Sequence, residues 1–290
     1  MEDVINNIDN KYKELITYSK EKFYTYANIF MMPLYYKLFT YKNKPNYNLY
    51  DKLLTKNNYE VINLSIRHIQ EHSYNQNLTL LLYSYICNFV FEYYFNNYIS
   101  AFSNYNKKTS PKSQMFKYSK TSKIIESQLY EERFYSNVNK YRLDTKQIIV
   151  ADECFELLDE IFSQQYLMSY GIDVFIESYH NFLFYQNKIY NNKNKLSKPV
   201  ALFLDLITKS KKYSASSIYQ VKNKKYEDYL NKENHVWIRD QHETTLSFYE
   251  LYNEAKQFTV KLLTLVSENI YYQIKNNELI LKEISKIKKE

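Results

Sequence analysis

The sequence holds a single glycine, Gly171, in 290 residues, and only four prolines. Glycine reaches positive φ without steric cost, so a chain almost without it is expected to form few positive-φ turns and few tight hairpins. Phosphate-cradling loops need several glycines for close backbone approach, which excludes the P-loop and dinucleotide-binding readings. The two cysteines, Cys87 and Cys154, sit in apolar helical stretches and read as small buried hydrophobes, not as a disulfide or a metal clip. Charge of one sign is also scarce. Thirty-nine basic against 32 acidic residues leave +7, short of a dedicated nucleic-acid binder, so no nucleic-acid partner is expected. The first 22 residues are charged throughout and contain no apolar signal segment, so a cytoplasmic location is expected.

Tyrosine and phenylalanine are abundant, at 34 and 17 residues. With the surplus of Asn, Lys and Ile, this is the usage of an AT-rich genome. Clusters such as Tyr93, Tyr94, Phe95 and Tyr98 are then background, not a stacking surface. The longest apolar run, residues 78–99, carries one charge, Glu92, and is long enough to cross a bilayer. Its Asn, Glu and Tyr side chains would need partners in lipid. A buried central helix explains the run better, and no transmembrane segment is expected.

Apolar spacing is helical almost throughout. Helices are expected over residues 4–30, 56–73, 78–99, 116–136, 145–168, 173–190, 199–210 and 246–286. Polar loops are expected at 41–51, 103–114, 191–198 and 211–245. Gly171 ends a helix or turns the chain. No repeat or Pro/Gly-rich linker divides the sequence, so one all-α domain is expected over 1–290, a compact multi-helix bundle of roughly eight or nine helices. Within it, 1–40 is a divergent N-terminal helix and 246–286 one long C-terminal helix. That helix also offers a surface for a homo-oligomer, and its end, Lys282 to Lys289, is basic.

Four segments, between about residues 45 and 260, share the order of a known family. Residues 83–99 read YSYICNFVFEYYFNNYI. This resembles, without a gap, the central-helix signature Y-G-F-I-C-H-F-x-L-D-x-x-x-H-P-Y-I of the zinc-dependent phospholipase C family, especially its unsecreted clostridial-type branch. Tyr83, Tyr85, Ile86, Cys87, Phe89, Tyr98 and Ile99 keep the family's types. Ser84 stands for Gly, Asn88 for the first His, Glu92 for the Asp and Asn96 for the second His. Residues 117–129, KYSKTSKIIESQL, are similar to the family helix that supplies His and Glu four apart; Glu126 fits the Glu and Ser122 takes the His position. Residues 51–57, DKLLTKN, put Leu54 where the family has His, just after Pro45-Asn46 in place of Pro-Asp. Residues 228–255 keep the closing pattern of L-N, Trp and S-F-x-x-L-Y-x-x-A in Leu230, Asn231, Trp237, Ser247, Phe248, Leu251, Tyr252 and Ala255. Ser247 and Glu250 also make a capping box, a structural reason for that motif.

The resemblance implies the all-α fold of the zinc-dependent phospholipase C and P1-nuclease type. Its departures fall on the metal ligands. Positions 88, 92 and 96 lie on one helix face, about 6 Å apart at each step. His, Asp and His there would ligate zinc, but a carboxamide oxygen is a poor zinc ligand. The expectation is a pseudoenzyme with no catalytic residue and no cofactor, whose vestigial pocket is lined by Asn88, Glu92, Asn96, Ser122, Glu126 and Leu54. It would bind a lipid headgroup or a protein partner. The alternative is an active metal-dependent phospholipase or phosphodiesterase, with zinc held in a rearranged site by Glu92 and Glu126 with His68, His72 and His235. His68 and His72, four apart on one helix, could form a metal pair or simply be two helix-surface histidines. Cys154 with His180 as nucleophile and base is disfavoured against ordinary packing.

Overall fold

In a computed structural model the described residues are 2–7, 13, 22, 23, 26, 58–72, 74–103, 111–134, 150–166, 176–181, 199 and 228–288. They form α1 (Glu2–Asn7), α2 (Asn58–Glu71), α3 (Gln76–Phe102), α4 (Pro111–Phe134), α5 (Asp152–Tyr166), β1 (Trp237–Arg239), β2 (His242–Thr244), α6 (Phe248–Tyr271) and α7 (Glu278–Lys288). Residues 176–181 are helical as well. The expected helices at 4–30 and 199–210 fall largely outside the described residues. Gly171, Leu54 and the 41–51 loop fall wholly outside them.

The fold is organised around α3. Asn75 caps it, its side chain accepting from the backbone N–H of Asn77 and Leu78, which satisfies two of the helix's orphan donors. Residues 78–87 are buried on every side, so this half of the helix is hydrophobic all round, as a central helix must be. Ile62 and Ile66 of α2, Leu158 and Ile161 of α5, Leu263 and Val266 of α6, and Ile280 and Ile284 of α7 share one core with it. Each such side chain contributes about 1.5–3 kcal/mol by leaving water. Ser84, in the glycine position of the family signature, is fully buried and returns its hydroxyl to the Leu81 carbonyl at 2.7 Å. No described helix is long and apolar enough to cross a membrane.

From Phe91 onward α3 becomes half-exposed, and its C-terminal part meets a second core of Tyr98, Ile125, Leu230, Trp237, Phe248 and Leu251. Tyr98 contacts Trp237 edge-on at 5.2 Å and donates its hydroxyl to the Tyr229 carbonyl at 2.8 Å. Phe95 stacks on Phe248 at 4.6 Å.

Three expectations are corrected. The all-α reading holds broadly, but part of the stretch expected to be irregular is ordered: β1 and β2 pair antiparallel there, with Arg239 opposite His242. The two-residue loop between them has positive φ at both positions, 48° at Asp240 and 73° at Gln241, the sign pattern of a type I′ turn. Scarce glycine therefore did not forbid a tight hairpin. Asp240 tolerates the left-handed region because its carboxylate is held by the Asn97 amide and the Tyr93 hydroxyl of α3.

The expected single helix at 246–286 is two. The Ile274 N–H reaches the Asn269 carbonyl at 3.0 Å and the Gln273 N–H reaches Ile270, with Gln273 at φ 52°. This is a Schellman ending with glutamine where glycine is usual. Asn276 then caps α7 by accepting from the Glu278 N–H at 2.9 Å. Asparagine side chains compete for backbone groups, which is why an unbroken apolar period did not yield an unbroken helix. Lastly, α4 begins inside the expected 103–114 loop, at Pro111, a residue whose missing N–H costs nothing in a first turn.

Candidate functional site

The polar face of α3 carries Asn88, Glu92 and Asn96 one turn apart, and α4 packs against this helix. From α4, Tyr118, Ser122 and Glu126 repeat at the same interval. The tyrosine joins the two sets. Its hydroxyl donates to Asn96 Oδ1 at 2.8 Å. Its phenol pKa is pushed up by burial, and further by the carboxylates of Glu92 and Glu126, so both acids act on the same group. Ser122 Oγ donates to Glu126 Oε1 at 3.3 Å, one turn along α4. Asn96 thus meets this half-buried phenol directly, Glu92 and Glu126 act on it through their charge, and Ser122 joins the set through Glu126. Asn88 is half-buried two turns before Asn96.

Sequence reasoning missed Tyr118. Its position four before Ser122 was a usable signal, hidden by a tyrosine-rich background. Leu54 lies outside the described residues. The residue types of this face do not fit zinc: they are two carboxylates, two carboxamides, a phenol and an alcohol, with no imidazole or thiolate among them. What they can do is accept and donate hydrogen bonds and hold a cation.

The histidines lie elsewhere. His68 and His72 of α2 stack at 4.1 Å between ring centroids. His68 Nδ1 faces Glu160 Oε2 of α5 at 2.9 Å, and His72 Nδ1 meets the His68 carbonyl at 2.8 Å. One ligand atom each from His68, His72 and Glu156 lie within 4.8 Å of one another. Asp228, Glu233 and His235 form a second such group, in which His235 Nε2 is 3.1 Å from Glu233 Oε2. Neither group includes Glu92 or Glu126, so among the described residues the histidines are not gathered with the two acids of the α3–α4 face.

The closing motif is structural. Asn231, at φ 49°, is fully buried. Its amide nitrogen is shared among the carbonyls of His235, Thr245 and Leu246, and its Oδ1 accepts from the His235 N–H at 2.8 Å. Trp237 Nε1 donates to the Leu246 carbonyl at 2.9 Å. The Ser247–Glu250 capping box starts α6. Arg239 lies 5.0 Å over the Tyr94 ring and pairs with Glu254 at 2.7 Å.

Both cysteines are buried, and burial drives each thiol up to about 12. A thiol so protonated is a poor nucleophile, and His180 sits exposed on the 176–181 turn.

No protein family, no curated protein and no solved structure matches this chain.

Proposed function

We propose that this chain is a catalytically degenerate relative of the zinc-dependent phospholipases C, a pseudoenzyme that uses the α3–α4 face for binding. The observation that supports this best is the gathering of Asn96, Glu92, Ser122 and Glu126 around Tyr118. These are the positions at which the family resemblance implies a metal site, here with two acids kept and the imidazoles replaced. Without imidazoles, nothing here would hold a zinc that generates hydroxide near neutral pH.

The same charges indicate the ligand. A phosphodiester approaching Glu92 and Glu126 would meet like charge with no metal between them. A cationic group suits the face, and a half-buried tyrosine beside the acids adds to the attraction. The occupant that fits both the resemblance and the charge is the ammonium end of a zwitterionic phospholipid headgroup. A lysine-bearing protein partner would offer similar chemistry.

Two assays test the reading. The protein should sediment with phosphatidylcholine vesicles more than with phosphatidylglycerol vesicles, and Glu92→Gln with Glu126→Gln should weaken that by about tenfold. With added Zn²⁺ it should not hydrolyse the headgroup. Turnover abolished by Glu92→Ala would overturn the pseudoenzyme reading in favour of a metal-dependent phosphodiesterase. Equal sedimentation with both vesicle types would remove the headgroup.

A further inference from the structure

We infer that His68, His72 and Glu156 form a binding site for a zinc-class divalent cation, supported by Glu160. This site lies between α2 and α5 and does not depend on the α3–α4 face.

The argument starts from protons. The His68 carbonyl can only accept, so His72 Nδ1, 2.8 Å away, carries a hydrogen. An ionised carboxylate likewise only accepts, so His68 Nδ1, 2.9 Å from Glu160 Oε2, carries one too. In the neutral rings the lone pair is then left on Nε2 of both histidines, the form in which imidazole binds metals. His68 is only 9% exposed, and its Nε2 is buried with no hydrogen-bond partner among the described residues. A buried nitrogen in that condition costs free energy unless something occupies its lone pair. Close by are a second imidazole and a carboxylate, each offering a ligand atom within the 4.8 Å group.

Supporting geometry is also present. A carboxylate–histidine–metal arrangement is the usual means of fixing a metal-binding ring, and Glu160 stands in that relation to His68. His68-Ile69-Gln70-Glu71-His72 has the H-x-x-E-H spacing by which some zinc hydrolases present two imidazoles from one helix. Here the third ligand comes from the neighbouring helix. Two imidazoles and one carboxylate suit Zn²⁺ and leave a fourth position for water. Ligand atoms around tetrahedral zinc stand about 3.4 Å apart and the two rings stack face to face, so binding would turn the exposed His72 ring and draw it with Glu156 onto the fixed His68.

The test uses the full chain, stripped with chelator and titrated with Zn²⁺ against a chromophoric competitor. One zinc per chain is expected, with a dissociation constant below about 1 µM. His72→Ala and Glu156→Gln change exposed residues, so the fold should survive, as circular dichroism will show. Each should weaken binding at least tenfold. Glu160→Gln should cost about 10–100-fold through His68 alone. His242→Ala, on the hairpin, should change nothing. Absence of stoichiometric zinc, or zinc retained by folded His72→Ala and Glu156→Gln, would overturn the site. So would zinc lost in Glu92→Gln but kept in His72→Ala, which would move the metal to the α3–α4 face. Vesicle binding in the zinc-free protein reports separately on that face.

Discussion

The closing segment, residues 228–255, and the α3–α4 face use their polar groups in opposite ways. In the closing segment the buried polar groups serve the fold. Asn231 donates to backbone carbonyls, Trp237 donates to one of the same carbonyls, that of Leu246, and Ser247 with Glu250 caps a helix. On the α3–α4 face burial pushes up the pKa of the Tyr118 phenol, and the carboxylates of Glu92 and Glu126 push it further. In the phospholipase resemblance, shape-holding residues keep their types, and the replaced residues are those that would have held metal.

The largest effect expected from breaking this contrast is at Trp237. Trp237→Ala should cost about 3–5 kcal/mol, read as a lower urea midpoint, because Tyr98 and Phe102 lose their ring partner. Asn231→Ala should cost about 1–3 kcal/mol by removing the buried amide that ties the backbone of His235, Thr245 and Leu246 together. Asn231→Gly should recover little of it, since the side chain and not the positive φ is what stabilises the loop. Ser247→Ala should cost about 1 kcal/mol.

That capping loss should depend on pH. Hydrogen bonds from the Ser247 backbone N–H and then its hydroxyl hold the Glu250 carboxyl below its ordinary value. A lowered folded pKa gives stability that is present above the unfolded value, about 4.3, and lost as pH falls through the folded one. The gap between wild type and Ser247→Ala in urea midpoint should therefore narrow below about pH 4.

The smallest effect should come from the other region. Glu92→Gln and Glu126→Gln should each change stability by no more than about 0.5 kcal/mol. A loss as large as that of Trp237→Ala would end the distinction between the two regions.

Much of the fold was legible in the residues. The all-round apolar run at 78–87 announced a central helix, and Ser247 with Glu250 announced the start of α6. The hairpin was not legible, because Asp240 adopts its conformation through Asn97 and Tyr93, distant in sequence. The break after Tyr271 was hidden because glutamine and asparagine do the work usually marked by glycine. At the candidate site, Asn88, Glu92, Asn96, Ser122 and Glu126 could be picked out by four-residue spacing, but Tyr118 could not be told from its many neighbours of the same type.

From the sequence alone came a helical chain, a helix too polar on one side for lipid, and a row of amides, alcohols and acids at four-residue spacing. These follow from periodicity and from side-chain chemistry, both local. Only the tertiary structure decided which side chains meet. Tyr118 reaches Asn96 across two helices, and His68 and His72 lie beside Glu156 and Glu160, not beside Glu92. Such meetings are set by how helix faces pack, and no spacing within a single helix encodes its partner.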